Sequence, residues 1–233
     1  MISKIRSLSH KVRRFLNKPK WHDLRCVTPI SDVFGLDRGT PIDRYYIERF
    51  LEKNRLYIKG HVLEVAENIY TQRLGTNVHI SDVLHYDSSN KHATIVGDLT
   101  SFSSLPQSLF DCFICTQTLN FIFDVKKAIQ GIRHLLCNDG RALITVAGIC
   151  QISRYDMERW GDFWRFSKQS ALKVFTEVFG EKNVEVASYG NVLSCVGLLE
   201  GISFEELTKE ELDYNDEVYQ MVISIIATKR TNK

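Results

Sequence analysis

The feature that most constrains this chain is a regular alternation that begins at Leu56. Short apolar runs rich in Val and Ile are separated by longer segments whose apolar residues recur at helical spacing. Such alternation is typical of βαβ units and predicts a doubly wound α/β fold, with a mostly parallel seven-stranded sheet and helices on both faces. The predicted strands are residues 61–65 (HVLEV), 83–87 (VLHYD), 93–99 (ATIVGDL), 110–117 (FDCFICTQ), 141–148 (RALITVAG), 183–190 (NVEVASYG) and 219–229 (YQMVISIIATK).

Two of the intervening segments carry clear helix boundaries. In residues 124–140, Asp124 is a good N-cap and Gly140 a good stop, and in residues 167–180 the same places are taken by Ser167 and Gly180. We therefore expect a helix in each segment.

An N-terminal helical extension is predicted before the sheet. The first 20 residues carry seven Lys and Arg and no acidic residue, with apolar residues at helical spacing. This pattern indicates a basic amphipathic helix that lies on an anionic membrane or binds an acidic partner, or else a solvated arm. No second basic stripe follows, so a nucleic-acid partner is not expected.

At 233 residues with 44% hydrophobic and 25% charged residues, the chain has the composition of an ordinary soluble protein. We expect an extension over residues 1–55 and one main domain over residues 56–233. The six cysteines lie mostly in apolar runs, and no secretory signal is recognised, which favours reduced thiols and a cytoplasmic location. Cys112 and Cys115 point to opposite faces of a predicted strand, so no metal site is expected.

Before the sheet, Thr40 and Pro41 fit an N-cap followed by a proline in the first helical turn. Arg38 lies just ahead of them, where its guanidinium and free backbone N–H groups can receive an anion. The alternative is that this segment only covers the sheet and caps its own helix.

In open parallel sheets a ligand lies beyond the carboxyl ends of the strands. The residues that follow the predicted strands are polar, and they match in type the groups that bind a nucleoside. They are Ala66 to Thr71, Asp87 to Asn90, Asp98 to Thr100, Thr116 to Asn120, and a long polar and aromatic segment at 151–166 (QISRYDMERWGDFWRF).

At this point residues 56–229 resemble the class I S-adenosylmethionine-dependent methyltransferases, in particular the small type-11-like group. HVLEV matches the first motif of that family, and FDCFICTQTLNFIFDVKKAIQGIRHLLCNDGRALITV matches the fourth and fifth. The resemblance implies a Rossmann-like sheet and S-adenosylmethionine as cofactor. It further resembles members that accompany bacterial surface-glycan assembly, which implies a sugar hydroxyl or an anionic sugar derivative as acceptor. Oligomeric state is left open.

The resemblance implies a set of cofactor contacts. Glu64 stands at the acidic position that ends the first strand, Asp87 where ribose hydroxyls are bound, and Asp98 with Leu99 beside the adenine. Gln117 and Thr118 flank the methionine end. The predicted cofactor-binding residues are Glu64, Val65, Ala66, Glu67, Asp87, Asp98, Leu99, Gln117 and Thr118. For Asp87, Asp98 and Gln117 the alternative is a polar residue that only caps a loop or ends a strand.

The first loop departs from the family, which has GxGxG where this chain has Ala66, Glu67 and Asn68. Glycines in such loops allow positive φ and close approach to the ligand. S-adenosylmethionine has no pyrophosphate to cradle, and the charge of Glu67 favours its cation while repelling a dinucleotide. The substitution therefore disfavours a nicotinamide-dependent oxidoreductase more than a methyltransferase.

Acceptor contacts are predicted in segment 151–166. Arg154 and Arg159, together with Arg38, can hold an anion by paired hydrogen bonds, and Tyr155 and Trp160 can stack on a sugar face. Asp156 is the predicted general base, with His85 behind it. The alternative is that the aromatic residues pack the segment onto the sheet and its arginines pair with its own acidic residues.

Two functions remain open on the sequence. The first is an active S-adenosylmethionine-dependent O-methyltransferase, and the second is a methyltransferase-like binding or scaffold protein without catalysis, which the glycine-poor loop favours.

Overall fold

The computed structural model describes residues 25–230. Residues 31–230 belong to one compact unit. The predicted basic helix of residues 1–20 lies outside the described residues. Segment 31–55, which the sequence assigned to the extension, belongs to the same unit as the sheet.

The seven predicted strands are all present and form one sheet in the order β3-β2-β1-β4-β5-β7-β6. Strands β1 to β5 pair in parallel, whereas β7 runs antiparallel to both β5 and β6. The strands are β1 (Gly60–Val65), β2 (Val78–His85), β3 (Ile95–Val96), β4 (Phe110–Thr116), β5 (Leu136–Ala147), β6 (Val184–Tyr189) and β7 (Val222–Thr228). The predicted doubly wound α/β architecture is confirmed.

Within the described residues the helices alternate with these strands. They are α1 (Ile42–Lys53), α2 (Ile69–Leu74), α3 (Val125–Leu135), α4 (Arg154–Met157), α5 (Lys168–Phe179), α6 (Val192–Glu200) and α7 (Lys209–Asp213). Short 3-10 turns occur at Arg55–Tyr57, Phe102–Ser104, Leu119–Phe121, Glu181–Asn183 and Phe204–Glu206.

The predicted caps of two helices are confirmed and one predicted stop is wrong. Asp124 caps α3 by accepting from the Lys127 amide, and Ser167 and Gly180 bound α5. Gly140, however, lies inside β5, because α3 ends at Leu135 and the next residue already pairs with Phe110 of β4. Pairing with a neighbouring strand therefore overrides the local helix signal.

The sheet is buried on both faces by two separate apolar clusters. Along β4, Cys112 and Ile114 belong to one cluster and Phe113 and Cys115 to the other, as the two-residue period of a strand requires. The first of these clusters includes α1 and α6, and the second includes α3 and α5. The CxxC thiols therefore lie on opposite faces, and burial raises the pKa of Cys115 to about 12.

Helix α1 packs against β7 and α6 and brings its first turn to the carboxyl end of the sheet. Its apolar face is fully or almost fully buried and consists of Ile42, Tyr46, Ile47, Phe50 and Leu51. Each such side chain contributes about 1.5–3 kcal/mol of burial free energy. The position of the α1 first turn is therefore fixed by the core.

Two carboxylates anchor the segment that leads into α1. Glu205 accepts bonds from the backbone N–H and the hydroxyl of Thr40, and Glu206 accepts two bonds from the guanidinium of Arg38. Both glutamates are exposed, and within the chain they supply the anion that Arg38 was expected to receive. Pro41, rather than Thr40, is the N-cap residue of α1.

Candidate functional site

A cleft of about 1050 Å³ lies at the carboxyl ends of β1 and β4, where the strand order reverses. Its walls come from four places: the segment 32–36, the first turns of α1, the β1–α2 loop with the end of β4, and the residues that follow β5. Parallel α/β sheets bind ligands at this point. The cleft is therefore the candidate functional site.

Glu64 ends β1 with a buried carboxylate that is only 4% exposed. It accepts from the backbone N–H of Tyr70 at 3.1 Å, and from the backbone N–H and hydroxyl of Thr71 at 2.8 and 2.7 Å. Burial raises the pKa of Glu64, and the bonds from Thr71 and Tyr70 oppose this shift only in part. The Glu64 carboxylate thus joins the start of α2 to β1, and these bonds use most of its capacity to accept hydrogen bonds.

Ala66 follows β1 and holds the backbone conformation of a glycine. Its φ is +67°, in the left-handed region that alanine rarely adopts, at a cost of roughly 1–2 kcal/mol. The loop is held by two bonds: the Ala66 amide donates to Leu84 O at 2.9 Å, and the side-chain amide of Asn90 donates to Ala66 O at 2.6 Å. The loop shape expected of a glycine is kept here without the glycine.

Two residues that follow β4 line the cleft and carry buried polar atoms without a hydrogen-bond partner. Gln117 also has a positive φ, of +49°, and its buried Nε2 has no hydrogen-bond partner. Asn120 is 3% exposed and its Oδ1 is likewise unpartnered. Buried polar groups without partners cost about 1–3 kcal/mol each, so they mark places where a ligand or water completes the bonding. Thr118, between them, donates its hydroxyl to Thr116 O.

The segment after β5 forms the opposite wall. Ser153 caps the short helix α4, and its hydroxyl donates to Asp156 Oδ2 at 2.6 Å. The half-buried Asp156 lines the cleft, and so do Arg154 and Tyr155. Within the part of the chain that the structure describes, Arg154 has no ion-pair partner. A free guanidinium and a carboxylate thus lie two residues apart on this wall.

A second ion pair holds this wall in place. Arg165 forms a paired contact with Asp162 at 2.5 and 2.8 Å, and also donates to Gln151 O. Burial alone would raise the pKa of Asp162, but Arg165 and the Ser153 amide hold it below its usual range. For Arg165, the sequence alternative of pairing with an acidic residue of its own segment is therefore correct.

Nine of the predicted site residues line the cleft, and seven do not. Those in the cleft are Glu64, Val65, Ala66, Glu67, Gln117, Thr118, Arg154, Tyr155 and Asp156. Leu99 is 5% exposed within the core and its main chain packs on Gly131. Its contact with an adenine ring remains a prediction.

The other residues outside the cleft wall are engaged locally. Asp98 closes a turn by accepting from the amide and hydroxyl of Thr100, and Asp87 accepts from the Ser89 amide. The His85 ring packs edge-on against Trp160 at 5.8 Å. Arg159 lies over the Tyr155 ring at 3.5 Å, and Arg38 pairs with Glu206. Contacts of these six residues with a ligand remain predictions that the cleft geometry does not support.

The sequence reasoning missed several cleft residues. Asp43 and Arg44 come from the first turn of α1, Tyr70 from the start of α2 and Asn120 from the turn after β4. The Arg44 guanidinium donates to the Tyr70 hydroxyl at 3.4 Å. Only the packing of α1 against the sheet shows that this turn faces the cleft.

Comparison with known proteins adds to this geometry. Residues 59–144, from just before β1 into β5, match a family model described as a methyltransferase domain. No match was found among curated proteins. The chain has the fold of the class I S-adenosylmethionine-dependent methyltransferases. The family match implies S-adenosylmethionine as the cofactor.

Solved structures share this methyltransferase fold at low sequence identity. A S-adenosylmethionine-dependent methyltransferase from Archaeoglobus fulgidus aligns with a TM-score of 0.51 and 11% identity over 80% of this chain and 94% of that one. The cyclase SpnF aligns at 0.53 and 13% over 84% and 85%, and the CurJ carbon methyltransferase at 0.52 and 14% over 85% and 57%. Since one of these is a cyclase, the fold alone does not fix the reaction.

The cleft fits this cofactor in size and charge. Among the described lining residues there are seven carboxylates and four guanidinium groups, an acidic excess that suits a sulfonium cation. Gln117 and Asn120 carry an unpartnered donor and an unpartnered acceptor, respectively. Together with Glu67 and Thr118, they are the residues that would hold the cofactor. When bound, S-adenosylmethionine would supply an electrophilic methyl group in this cleft, which Asp156 also lines.

Proposed function

We propose that this chain is an active S-adenosylmethionine-dependent O-methyltransferase that acts on a small or glycan-type acceptor, either a sugar hydroxyl or an anionic sugar derivative. The observation that carries the proposal is the arrangement of the cleft. The loop after β1 keeps the glycine conformation at Ala66, and the end of β4 offers unpartnered polar atoms beside it. The strained conformation of Ala66 and the unpartnered polar atoms both cost folding free energy. A chain that no longer bound a ligand would gain nothing in return for these two features.

The cleft wall that follows β5 carries groups that suit this class of acceptor. Methyl transfer to a hydroxyl needs a base to take the proton, and Asp156 is the carboxylate of that wall that is not paired with an arginine. Arg154 supplies a free positive charge for a carboxylate or phosphate on the acceptor. Tyr155 is 65% exposed, and the face of its ring that Arg159 does not cover can contact a sugar.

Titration calorimetry of the full chain with S-adenosylmethionine and with S-adenosylhomocysteine tests the cofactor. We expect one site for each compound. A panel of neutral sugars and uronic acids, assayed with tritium-labelled methyl donor, then tests the acceptor class, and we expect label in the acidic sugars first. If neither S-adenosylmethionine nor S-adenosylhomocysteine binds, the proposed enzyme function is wrong.

One observation favours the second candidate, a binding or scaffold protein without catalysis. The Asn90 amide occupies the carbonyl oxygen of Ala66, at the loop that would lie beneath the cofactor. On that hypothesis calorimetry shows no heat with either compound, and the Asn90→Ala variant restores binding.

Location at the inner face of a membrane is a further part of the proposal, with residues 1–20 as the contact. In residues 25–230, no helix is long and apolar enough to cross a bilayer. The test compares the full chain with one that starts at Trp21 for binding to vesicles of anionic lipid. Equal binding of the two would remove the membrane contact from the proposal.

A further inference from the structure

Two neighbouring residues of opposite charge face the cleft from the first turn of α1. Asp43 and Arg44 are both half-buried and both line the cleft. Within the described residues neither forms an ion pair, although the cleft-lining arginines Arg73 and Arg165 both do. The side-chain hydrogen bond of Arg44 goes to the neutral hydroxyl of Tyr70, at 3.4 Å. Asp43 and Arg44 act on each other's charge without forming a direct ion pair. A half-buried cation and carboxylate that lie side by side in this way are suited to a ligand that carries both charges.

The carboxylate at the end of β1 is poorly placed to serve such a ligand. Glu64 is 4% exposed, and its two oxygens already accept three bonds from Tyr70 and Thr71. It has little surface and little bonding capacity left for an ammonium group. A partner for an ammonium group therefore has to come from another part of the cleft.

We infer that Asp43 and Arg44 form a clamp for an α-amino acid group, with Arg44 binding its carboxylate and Asp43 its ammonium. On the proposed function, this group is the methionine end of S-adenosylmethionine. Arg44 suits a carboxylate because its planar fork donates two parallel hydrogen bonds, and the Tyr70 hydroxyl lies beside it as a further donor. The clamp also accounts for the glycine-poor loop, since α1 takes over contacts that a glycine loop otherwise makes.

Because α1 is fixed by its buried apolar face, the clamp is built before any ligand arrives. Ile42 and Ile47, which flank the two residues on α1, are fully buried. Preorganised charges lose little conformational entropy on binding, so they contribute more affinity than exposed side chains. Arg44→Lys keeps the charge but removes the fork, and is expected to retain only part of the affinity.

The test uses calorimetry with three adenosine compounds that differ in the charged groups at this end, and it compares each variant with the unaltered chain for the same compound. S-adenosylhomocysteine has both charged groups, decarboxylated S-adenosylmethionine has the amine alone, and 5′-methylthioadenosine has neither. Arg44→Gln is expected to weaken S-adenosylhomocysteine by about tenfold or more, as loss of a charged hydrogen bond does, and to leave the other two within about twofold. Asp43→Asn is expected to weaken both amine-containing compounds and to spare 5′-methylthioadenosine.

The matched control is Arg73→Gln, since Arg73 also lines the cleft but pairs with Glu48 at 2.5 Å. It is expected to bind all three compounds as the unaltered chain does. Equal affinity of Arg44→Gln and the unaltered chain for S-adenosylhomocysteine would overturn the clamp while leaving the proposed function intact. A parallel loss of 5′-methylthioadenosine binding by Arg44→Gln would also overturn the clamp, because it would show that the substitution damages the whole cleft. If the unaltered chain binds none of the compounds, the proposed function and the clamp fall together.

Discussion

The side-chain amide of Asn90 donates a 2.6 Å hydrogen bond to the main-chain oxygen of Ala66, and so joins the β2–β3 loop to the loop that follows β1. Ala66 is the residue that carries the strained positive φ. The bond therefore holds the β1 loop in the conformation that borders the cleft. The two candidate functions differ in what this bond does. In an active enzyme it holds the Ala66 loop ready to bind the cofactor, whereas in a scaffold protein it blocks the cofactor from the loop.

For an active enzyme, Asn90→Ala is expected to weaken S-adenosylhomocysteine binding by about fivefold, the equivalent of one ordinary hydrogen bond of about 1 kcal/mol. The reason is loss of preorganisation in the Ala66 loop. Calorimetry measures the change, with His92→Ala as the control, because His92 lines the same cleft and its described bond uses only its backbone amide. Tighter binding by Asn90→Ala would instead support the scaffold hypothesis.

Ala66→Gly is expected to stabilise the fold by about 0.5 kcal/mol, because relief of left-handed strain slightly exceeds the added chain entropy of glycine. Urea unfolding followed by circular dichroism measures the free energy of unfolding. Ala187→Gly in β6 is the matched control and is expected to lose about 0.5–1 kcal/mol, since its backbone is not in the positive-φ region. Equal losses in both variants would show that the strain at Ala66 is negligible.

Asp43→Asn is expected to stabilise the ligand-free chain at neutral pH and to have no effect near pH 3. Burial raises the pKa of Asp43, although the charge and amide of Arg44 oppose it. A raised pKa in the folded state means that the stability is present below the ordinary value, about 3.9, and is lost as pH rises through the folded value. Thermal unfolding between pH 3 and pH 7 measures the difference between the variant and the unaltered chain.

Substitution of Glu206 is expected to change the stability with the opposite pH dependence in the same experiment. The hydrogen bond and charge of Arg38, together with the Ser203 amide, lower the pKa of Glu206 to about 2. Its contribution to stability is present above the ordinary value, about 4.3, and is lost as pH falls towards 2. Glu206→Gln is therefore expected to destabilise the chain at pH 6 and to have little effect near pH 2. If both variants showed the same pH dependence, the two electrostatic environments would be wrongly described.

The fold could be predicted to a large extent because its signals are local. All seven strands follow from β-branched runs, and Ser167 and Gly180 bound α5 as capping chemistry requires. The exception, Gly140, lies where β5 gains extra length by pairing Leu136 with Phe110, a contact between residues distant in sequence. Long-range pairing of this kind leaves no local signature.

The site could be predicted only where it follows a strand directly. Glu64, Ala66 and Gln117 were found because the carboxyl ends of β1 and β4 fix their places. Asp43 and Arg44 were missed because their direction depends on how α1 packs. Leu99 was expected beside the ligand and is buried in the core, because the sequence pattern does not distinguish an apolar residue that meets a ligand from one that packs in the core.

Asp156→Asn tests the predicted base on any acceptor that the panel identifies. Loss of a general base lowers methyl transfer by about 10²–10⁴-fold, while the affinity for S-adenosylhomocysteine is expected to stay the same. Initial rates with labelled methyl donor measure the first quantity and calorimetry the second. If the variant kept its rate of methyl transfer across the pH range, water or another group would be the base that takes the proton from the acceptor hydroxyl.

A crystal structure of the full chain with S-adenosylhomocysteine would show directly whether the cleft binds the cofactor. We expect the ligand in the cleft between β1 and β4, with its carboxylate within hydrogen-bond distance of Arg44 and its polar groups on Gln117 and Asn120. Ligand bound elsewhere, or an empty cleft at saturating concentration, would contradict this expectation.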